Sequence, residues 1–183
     1  MKRESIVVSA VVLACLLASG CGGSDYSGSS GGLHASFTAE QTAPGPASVS
    51  LEPGRATGDT IEVRVRLTDI GDVYGAAFYV VLDPAIASYV TYAAGEILES
   101  DGQVPLYLVD AGQPGRIVVS ANRLGPVGGI DVTGSRTLLT LTLRVVGVGV
   151  SGATFDSAAL YDSQLQPQPM PGIQWFGGEI VGR

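Results

Sequence analysis

The chain has 183 residues, 45% of them apolar, and a formal net charge of −7. That length suits one domain with a sizeable core and scarcely two. From residue 47 onward fourteen Asp or Glu stand against eight Arg, a balance of −6 with no lysine, and so acidic a domain without a basic stripe excludes nucleic acid and an anionic membrane surface as partners.

In chain order, Lys2 and Arg3 precede an apolar run from Ile6 to Leu17, the charged and hydrophobic regions of a secretory signal. The run falls short of the about 20 apolar residues that a spanning helix needs. It ends in Leu17, Ala18, Ser19, Gly20 and Cys21. Small residues before a cysteine resemble the lipobox of bacterial lipoproteins, in which the cysteine is lipidated and becomes the first residue of the mature chain. Residues 1–20 are therefore expected to be a signal peptide and Cys21 a lipidation site. The expected location is the cell envelope, with the chain anchored to a membrane and facing the periplasm or the cell surface. Cys15, the other cysteine, lies in the segment to be removed, so disulfides and thiolate metal sites are excluded for the folded part. Residues 21–46 are rich in Gly, Ser, Ala, Pro and Thr and are expected to be a flexible tether, with His34 a solvated part of it.

The folded domain is assigned to residues 47–183. Ala47 to Leu51 reads as a short alternating strand stopped by Glu52, Pro53 and Gly54. Thr60 to Thr68 is an amphipathic strand with Ile61, Val63, Val65 and Leu67 inward and Glu62, Arg64 and Arg66 outward. Asp69 to Asp72 is expected to turn the chain into Tyr74 to Pro84, YGAAFYVVLDP, a strand apolar on both faces. Phe78, Val80 and Leu82 share one face; Ala77, Tyr79 and Val81 share the other. Further strands are expected near Ser88 to Tyr92, over Gln103 to Val109 at an edge because of Pro105, and over Arg116 to Leu124 after a hairpin turn at Asp110 to Gly115. Thr137 to Val146, Gly152 to Tyr161 and Ile173 to Val181 complete about nine strands. The pattern predicts an all-β fold, a two-sheet β-sandwich.

The ordered set YGAAFYVVLDP, YVTYAAGEIL, RIVVSANRLG, a GG loop, SRTLLTLTLRVVGVGVSGATF and ALYDS resembles a cohesin domain over most of residues 47 to 183. The resemblance implies a nine-stranded jelly roll related to some carbohydrate-binding modules. It also implies a non-catalytic receptor for dockerins, small calcium-loaded modules on polysaccharide-degrading enzymes and other secreted proteins. In the cellulosomal type the dockerin lies on a sheet face that includes the strands matching Tyr74 to Asp83 and Arg116 to Leu124. That implies partner contacts at Gly75, Ala77, Tyr79 and Val81 on the first. On the second, the residues themselves leave two faces open: Ile117, Val119 and Ala121, or Val118, Ser120 and Asn122. The resemblance favours Ile117, Val119 and Ala121, with Arg123 and Leu124 at the rim. Two polar contact positions of many cellulosomal members, Asn and Asp, fall at Gly75 and Ala77, which implies a non-cellulosomal partner.

No catalytic, metal or cofactor site is expected. The pairs Asp69 and Asp72, Glu99 and Asp101, and Asp156 and Asp162 lie at predicted turns and strand ends, where Asp is favoured by local hydrogen bonding. The folded part as assigned has no histidine for serine catalysis and no lysine for a phosphate-binding loop. A second function class is direct carbohydrate binding through exposed rings, with Tyr79 and Trp175 the rings to test. A third is a structural lipoprotein of an envelope assembly.

Overall fold

The computed structural model describes residues 32–164 and 166–183, which form one compact unit of eleven strands. The signal peptide and Cys21 lie outside the described residues. The strands are β1 (Ala35–Ala39), β2 (Ser48–Thr57), β3 (Thr60–Val73), β4 (Gly75–Val81), β5 (Ala87–Ala94), β6 (Leu106–Gln113), β7 (Arg116–Asn122), β8 (Ile130–Val145), β9 (Gly149–Tyr161), β10 (Gln174–Phe176) and β11 (Gly178–Gly182). They build two sheets, one ordered β1-β11-β9-β4-β7-β6 and the other β10-β2-β3-β8-β5. The all-β two-sheet sandwich expected from the alternation is what the chain adopts.

Eleven strands replace nine for two reasons. The last predicted strand is divided at Gly177: Gln174–Phe176 pairs in parallel with β2, and Gly178–Gly182 then crosses to pair with β9 in the other sheet. A Cβ at Gly177 would collide with the Ala153 carbonyl, so the crossing needs glycine there. The second addition is β1, which lies inside the stretch read as tether and corrects the 21–46 assignment. It pairs antiparallel with β11 from Ala35 opposite Gly182 to Ala39 opposite Gly178. Ala35 and Phe37 face inward and are buried, and the His34 amide donates to the Arg183 carbonyl at 2.7 Å. Composition hid this strand because its five residues sit between Gly- and Pro-rich segments. If Phe37 is core, Phe37→Ala should lower unfolding stability by about 3 kcal/mol in urea titration, whereas a tether residue would give no change.

β3 also departs from expectation. It runs through Asp69 to Asp72 to Val73, and the irregularity is absorbed by bulges against β8. Asp69 and Asp72 take positive φ (47° and 54°), which Asp tolerates better than most residues. The Asp69 carboxylate accepts from the Gly134 amide at 2.6 Å, and Asp72 accepts from the amides of Gly129 and Ser163 at 3.1 Å each. Hydrogen bonding from the Ser163 side chain, helped by those amides, holds the Asp72 carboxyl below its ordinary range against the opposing effect of burial.

The core is the interleaved inner faces: Ile61, Val63, Val65 and Leu67 of β3 and Leu139, Leu141 and Leu143 of β8 against Phe78 and Val80 of β4 and Ile117 and Val119 of β7. Tyr107 of the edge strand β6 ties the two sheets: its hydroxyl reaches the carbonyls of Leu138 (3.3 Å) and Gly95 (3.4 Å). Burial, with the Glu99 charge adding, pushes its pKa up to about 12. A phenol whose folded pKa exceeds its unfolded value of about 10 contributes stability that is complete below 10 and is lost as pH rises toward 12. Titration of phenolate absorbance should show Tyr107 ionising late, and Tyr107→Phe should remove this part of the alkaline loss of stability.

Candidate functional site

β4 is flanked by β7 and β9, with β6 beyond β7, so four strands present one outer face. In antiparallel pairs the residues directly opposite one another share a face. Tyr79 stands opposite Val118 on one side and Asp156 on the other; Val81 stands opposite Arg116 and Thr154; Ala77 stands opposite Ser120 and Ala159. On β6, Leu108 lies opposite Ser120 and Leu106 opposite Asn122, and these leucines are 58% and 56% exposed. The face is therefore apolar and aromatic across β6, β7 and β4, with charge beside its centre.

Tyr79 is held there by an arginine. The Arg116 guanidinium lies 3.9 Å from the Tyr79 ring centroid, and its Nη2 donates to Asp156 Oδ2 at 2.6 Å. One cation thus joins β7 to β9 across the Tyr79 ring. The ion pair is partly exposed and contributes about 1 kcal/mol or less, and the cation–π contact a similar amount. Its larger consequence is to fix the Tyr79 and Arg116 rotamers before any partner arrives, which lowers the entropic cost of binding. At the far end of β4, Asn122 Nδ2 donates to Ser120 Oγ at 2.8 Å. A Cβ at Gly75 would collide with the Asn122 amide, so this glycine leaves room for an asparagine carried by the neighbouring strand. Below the face, Phe155 packs edge-on against Phe78 (5.3 Å between centroids) and against Trp175 (4.9 Å). Trp175 is therefore a partly buried support of the sheet.

Of the residues singled out from the sequence, Ala77, Tyr79 and Val81 lie together on the outer face, half-buried, and Leu124 is exposed beyond the end of β7. Gly75 is buried beneath Asn122. Ile117, Val119 and Ala121 require correction. They are buried in the core, because Val119 is paired with Phe78 and Ile117 with Val80, both inward residues of β4. The outward set of β7 is Arg116, Val118, Ser120 and Asn122. Arg123 is also corrected: it is no rim residue but 2% exposed, donating to the Leu98 carbonyl at 2.7 Å and pairing with Asp101 at 2.5 Å. The Gly-rich stretch after β7 does not cover Tyr79, since from Ile130 it is already β8, whose ladder is with β3 on the other sheet. Sequence reasoning missed Arg116, Asp156, Leu106 and Leu108 as parts of this face, and of the two β7 faces it left open the resemblance favoured the wrong one, passing over Val118. The β6–β7 hairpin was legible in the sequence, but which of its faces points outward follows only from the pairing of β7 with β4.

Five of the acids do local structural work. Asp69 and Asp72 bind backbone amides, Asp101 pairs with Arg123, Asp156 with Arg116, and Asp162 accepts from the Gln164 and Gln168 amides at 3.3 and 3.1 Å. Among the described residues, no three of His, Cys, Asp and Glu come together as a metal-ligand group.

The chain is thus a two-sheet β-sandwich whose outer face is centred on an aromatic residue, Tyr79. The family model described as the cohesin domain matches residues 47–168, and the chain belongs to the cohesin domain family. β1, β10 and β11 lie outside the matched stretch. The chain is similar in fold to a type II cohesin domain from the cellulosome of Acetivibrio cellulolyticus (15% identity, TM-score 0.56, 73% of this chain and 92% of that one). It is similar to a non-cellulosomal cohesin of the hyperthermophilic archaeon Archaeoglobus fulgidus (16%, TM-score 0.50, 72% and 88%). A third similar structure is the sixth cohesin of Acetivibrio cellulolyticus scaffoldin B, solved in complex with a mutant Cel5 dockerin (16%, TM-score 0.50, 79% and 96%). No curated protein matches the chain by sequence.

Proposed function

We propose that this protein is a non-catalytic receptor, anchored to a membrane through a lipid on Cys21, that holds a dockerin-like module of another extracytoplasmic protein on the outer face of β6, β7, β4 and β9. The observation that carries the reading is Tyr79, half-exposed at the centre of that face and clamped by Arg116 and Asp156, with Val81, Val118, Leu106 and Leu108 around it. Tyrosine and arginine are the residue types that concentrate binding energy at protein interfaces. Family membership, and the similar scaffoldin B cohesin solved with a dockerin, support a protein partner of that kind. Direct carbohydrate binding, with its link to polysaccharide catabolism, is the weaker reading, since Trp175 packs against Phe155 and the Arg116 guanidinium already covers one face of Tyr79.

Two experiments test the proposal. The full chain, immobilised and challenged with the native secretome, should retain a protein carrying a calcium-binding module, lose it in chelator, and fail to retain it as the Tyr79→Ala variant. Retention of no protein, or equal retention by that variant, overturns the receptor reading. Mass spectrometry of the membrane fraction should find Cys21 lipidated at the N-terminus of the mature chain; an unmodified Cys21 there overturns the anchor.

A further inference from the structure

β8 and β9 are joined by a turn made only of valine and glycine, VVGVG, at residues 145–149. Val145 is buried, but Val146 (47%), Val148 (74%) and, just beyond the turn, Val150 (58%) are left in water. The turn does not stand alone. The amides of Val146 and Gly147 donate to the Ile86 carbonyl at 2.8 and 3.3 Å, which sets exposed Pro84 and Ala85 next to the valines. The Asp83 carboxylate at this turn is engaged by the Ala85 amide at 2.8 Å. One end of the sandwich therefore carries exposed apolar side chains grouped on two adjoining turns, beside the exposed Arg144–Asp59 ion pair, and grouping is what distinguishes an interaction surface from scattered exposed valines.

The described chain enters at this same end. The His34 and Arg183 backbones bond to each other, Ala35 bonds to the Gly58 carbonyl in the β2–β3 turn, and Gly182 is paired with Gly149 of the valine turn. Cys21 lies eleven residues before Gly32. Eleven residues reach at most about 40 Å fully extended. That is less than the about 46 Å expected for a strand of β3's length, 14 residues. A lipid on Cys21 therefore keeps the valine end, and not the Arg123 end, toward the bilayer.

We propose that the cap formed by Val146, Val148, Val150, Pro84 and Ala85 seats the domain on the lipid surface, an inference that rests on the lipid anchor proposed above. Apolar side chains at the end of an anchored domain insert into the interfacial region and add a second attachment to the first. The attraction is apolar, because an acidic domain gains nothing from anionic headgroups. Seated in this way the strands run away from the membrane, and the face centred on Tyr79 stands upright and open to a partner arriving from the side.

The test uses the full, lipid-anchored chain floated with phosphatidylcholine vesicles, carrying an environment-sensitive fluorophore on Val148→Cys or, at the opposite end, on Ser100→Cys. The expected result is a blue-shifted, several-fold brighter emission at position 148 that spin-labelled lipids quench equally at low and high salt, with an aqueous, unquenched signal at position 100. Equal signals at the two positions overturn the seating. A blue shift at 148 without quenching by labelled lipid means that another protein covers the cap, and also overturns it. If the chain fails to float, the anchor itself is wrong and the seating falls with it, a failure seen before any fluorescence is read.

Discussion

Tyr79→Ala is expected to weaken partner binding about 30-fold or more while leaving the fold intact. A central interface residue of this type is worth about 2 kcal/mol or more, and 1.4 kcal/mol is tenfold in affinity. Tyr79 has the placement such a residue needs, with paired strands on both sides, Val118 opposite on β7 and Asp156 opposite on β9. Its ring is already ordered by the Arg116 guanidinium at 3.9 Å, so little conformational freedom remains to be lost on docking. Arg116→Ala should therefore cost less than Tyr79→Ala, about three- to tenfold, by freeing the ring as well as by removing a contact. Ile117→Ala is the contrasting variant. Its side chain is buried, so it should cost about 2–4 kcal/mol of stability, with the folded fraction binding as the parent does. Calorimetric titration with the module recovered from the secretome measures all three. A folded Tyr79→Ala protein that binds like the parent would place recognition elsewhere.

The contrast between Tyr79 and Ile117 also shows what the sequence could and could not convey. Strict alternation from Thr60 to Thr68 identified a strand and its inward residues, because one face is apolar and the other charged. In β4, Phe78, Val80 and Leu82 were separable from Ala77, Tyr79 and Val81 for the same geometric reason, and all three of the first set are buried. β7 gave no such signal. Its two faces, Ile117, Val119 and Ala121 against Val118, Ser120 and Asn122, are similarly apolar at the start, and period two cannot say which is inward. Only the pairing with β4 decides it, and pairing is a long-range fact. β1 was hidden by its neighbours' composition, since five residues bury two side chains only because β11 arrives from the far end of the chain. Asp69 to Asp72 looked like a turn because Asp and Gly favour turns. The same tolerance of positive φ that makes them turn formers lets β3 bulge and continue.

Arg123 was the residue most distant from its expected role, and its removal is predicted to cost the fold as much as loss of a large core side chain. Arg123→Ala should cost about 3 kcal/mol of unfolding stability. The guanidinium is enclosed where β7 ends, and from there it holds the long connection between β5 and β6 by three hydrogen bonds: to the Leu98 carbonyl at 2.7 Å and to the two Asp101 oxygens at 3.1 and 2.5 Å. That connection carries Ile97 and Leu98, both fully buried, so releasing it loosens part of the core as well as the loop. Arg123→Met keeps the apolar stem and should lose less, whereas Asp101→Asn leaves the buried cation without its counter-charge and should destabilise even though Asp101 itself is half-exposed. The pair also predicts a pH dependence. The hydrogen bond from Arg123 holds the Asp101 carboxyl below its ordinary range. A carboxyl depressed on folding contributes stability that is present above its unfolded pKa of about 4 and is lost as pH falls through the lower folded value. Urea unfolding repeated from neutral to acid pH should therefore show the parent and Arg123→Met converging at the acid end and separating above it. A constant gap between them across that range would mean that packing of the arginine stem, and not its charge, holds the loop in place.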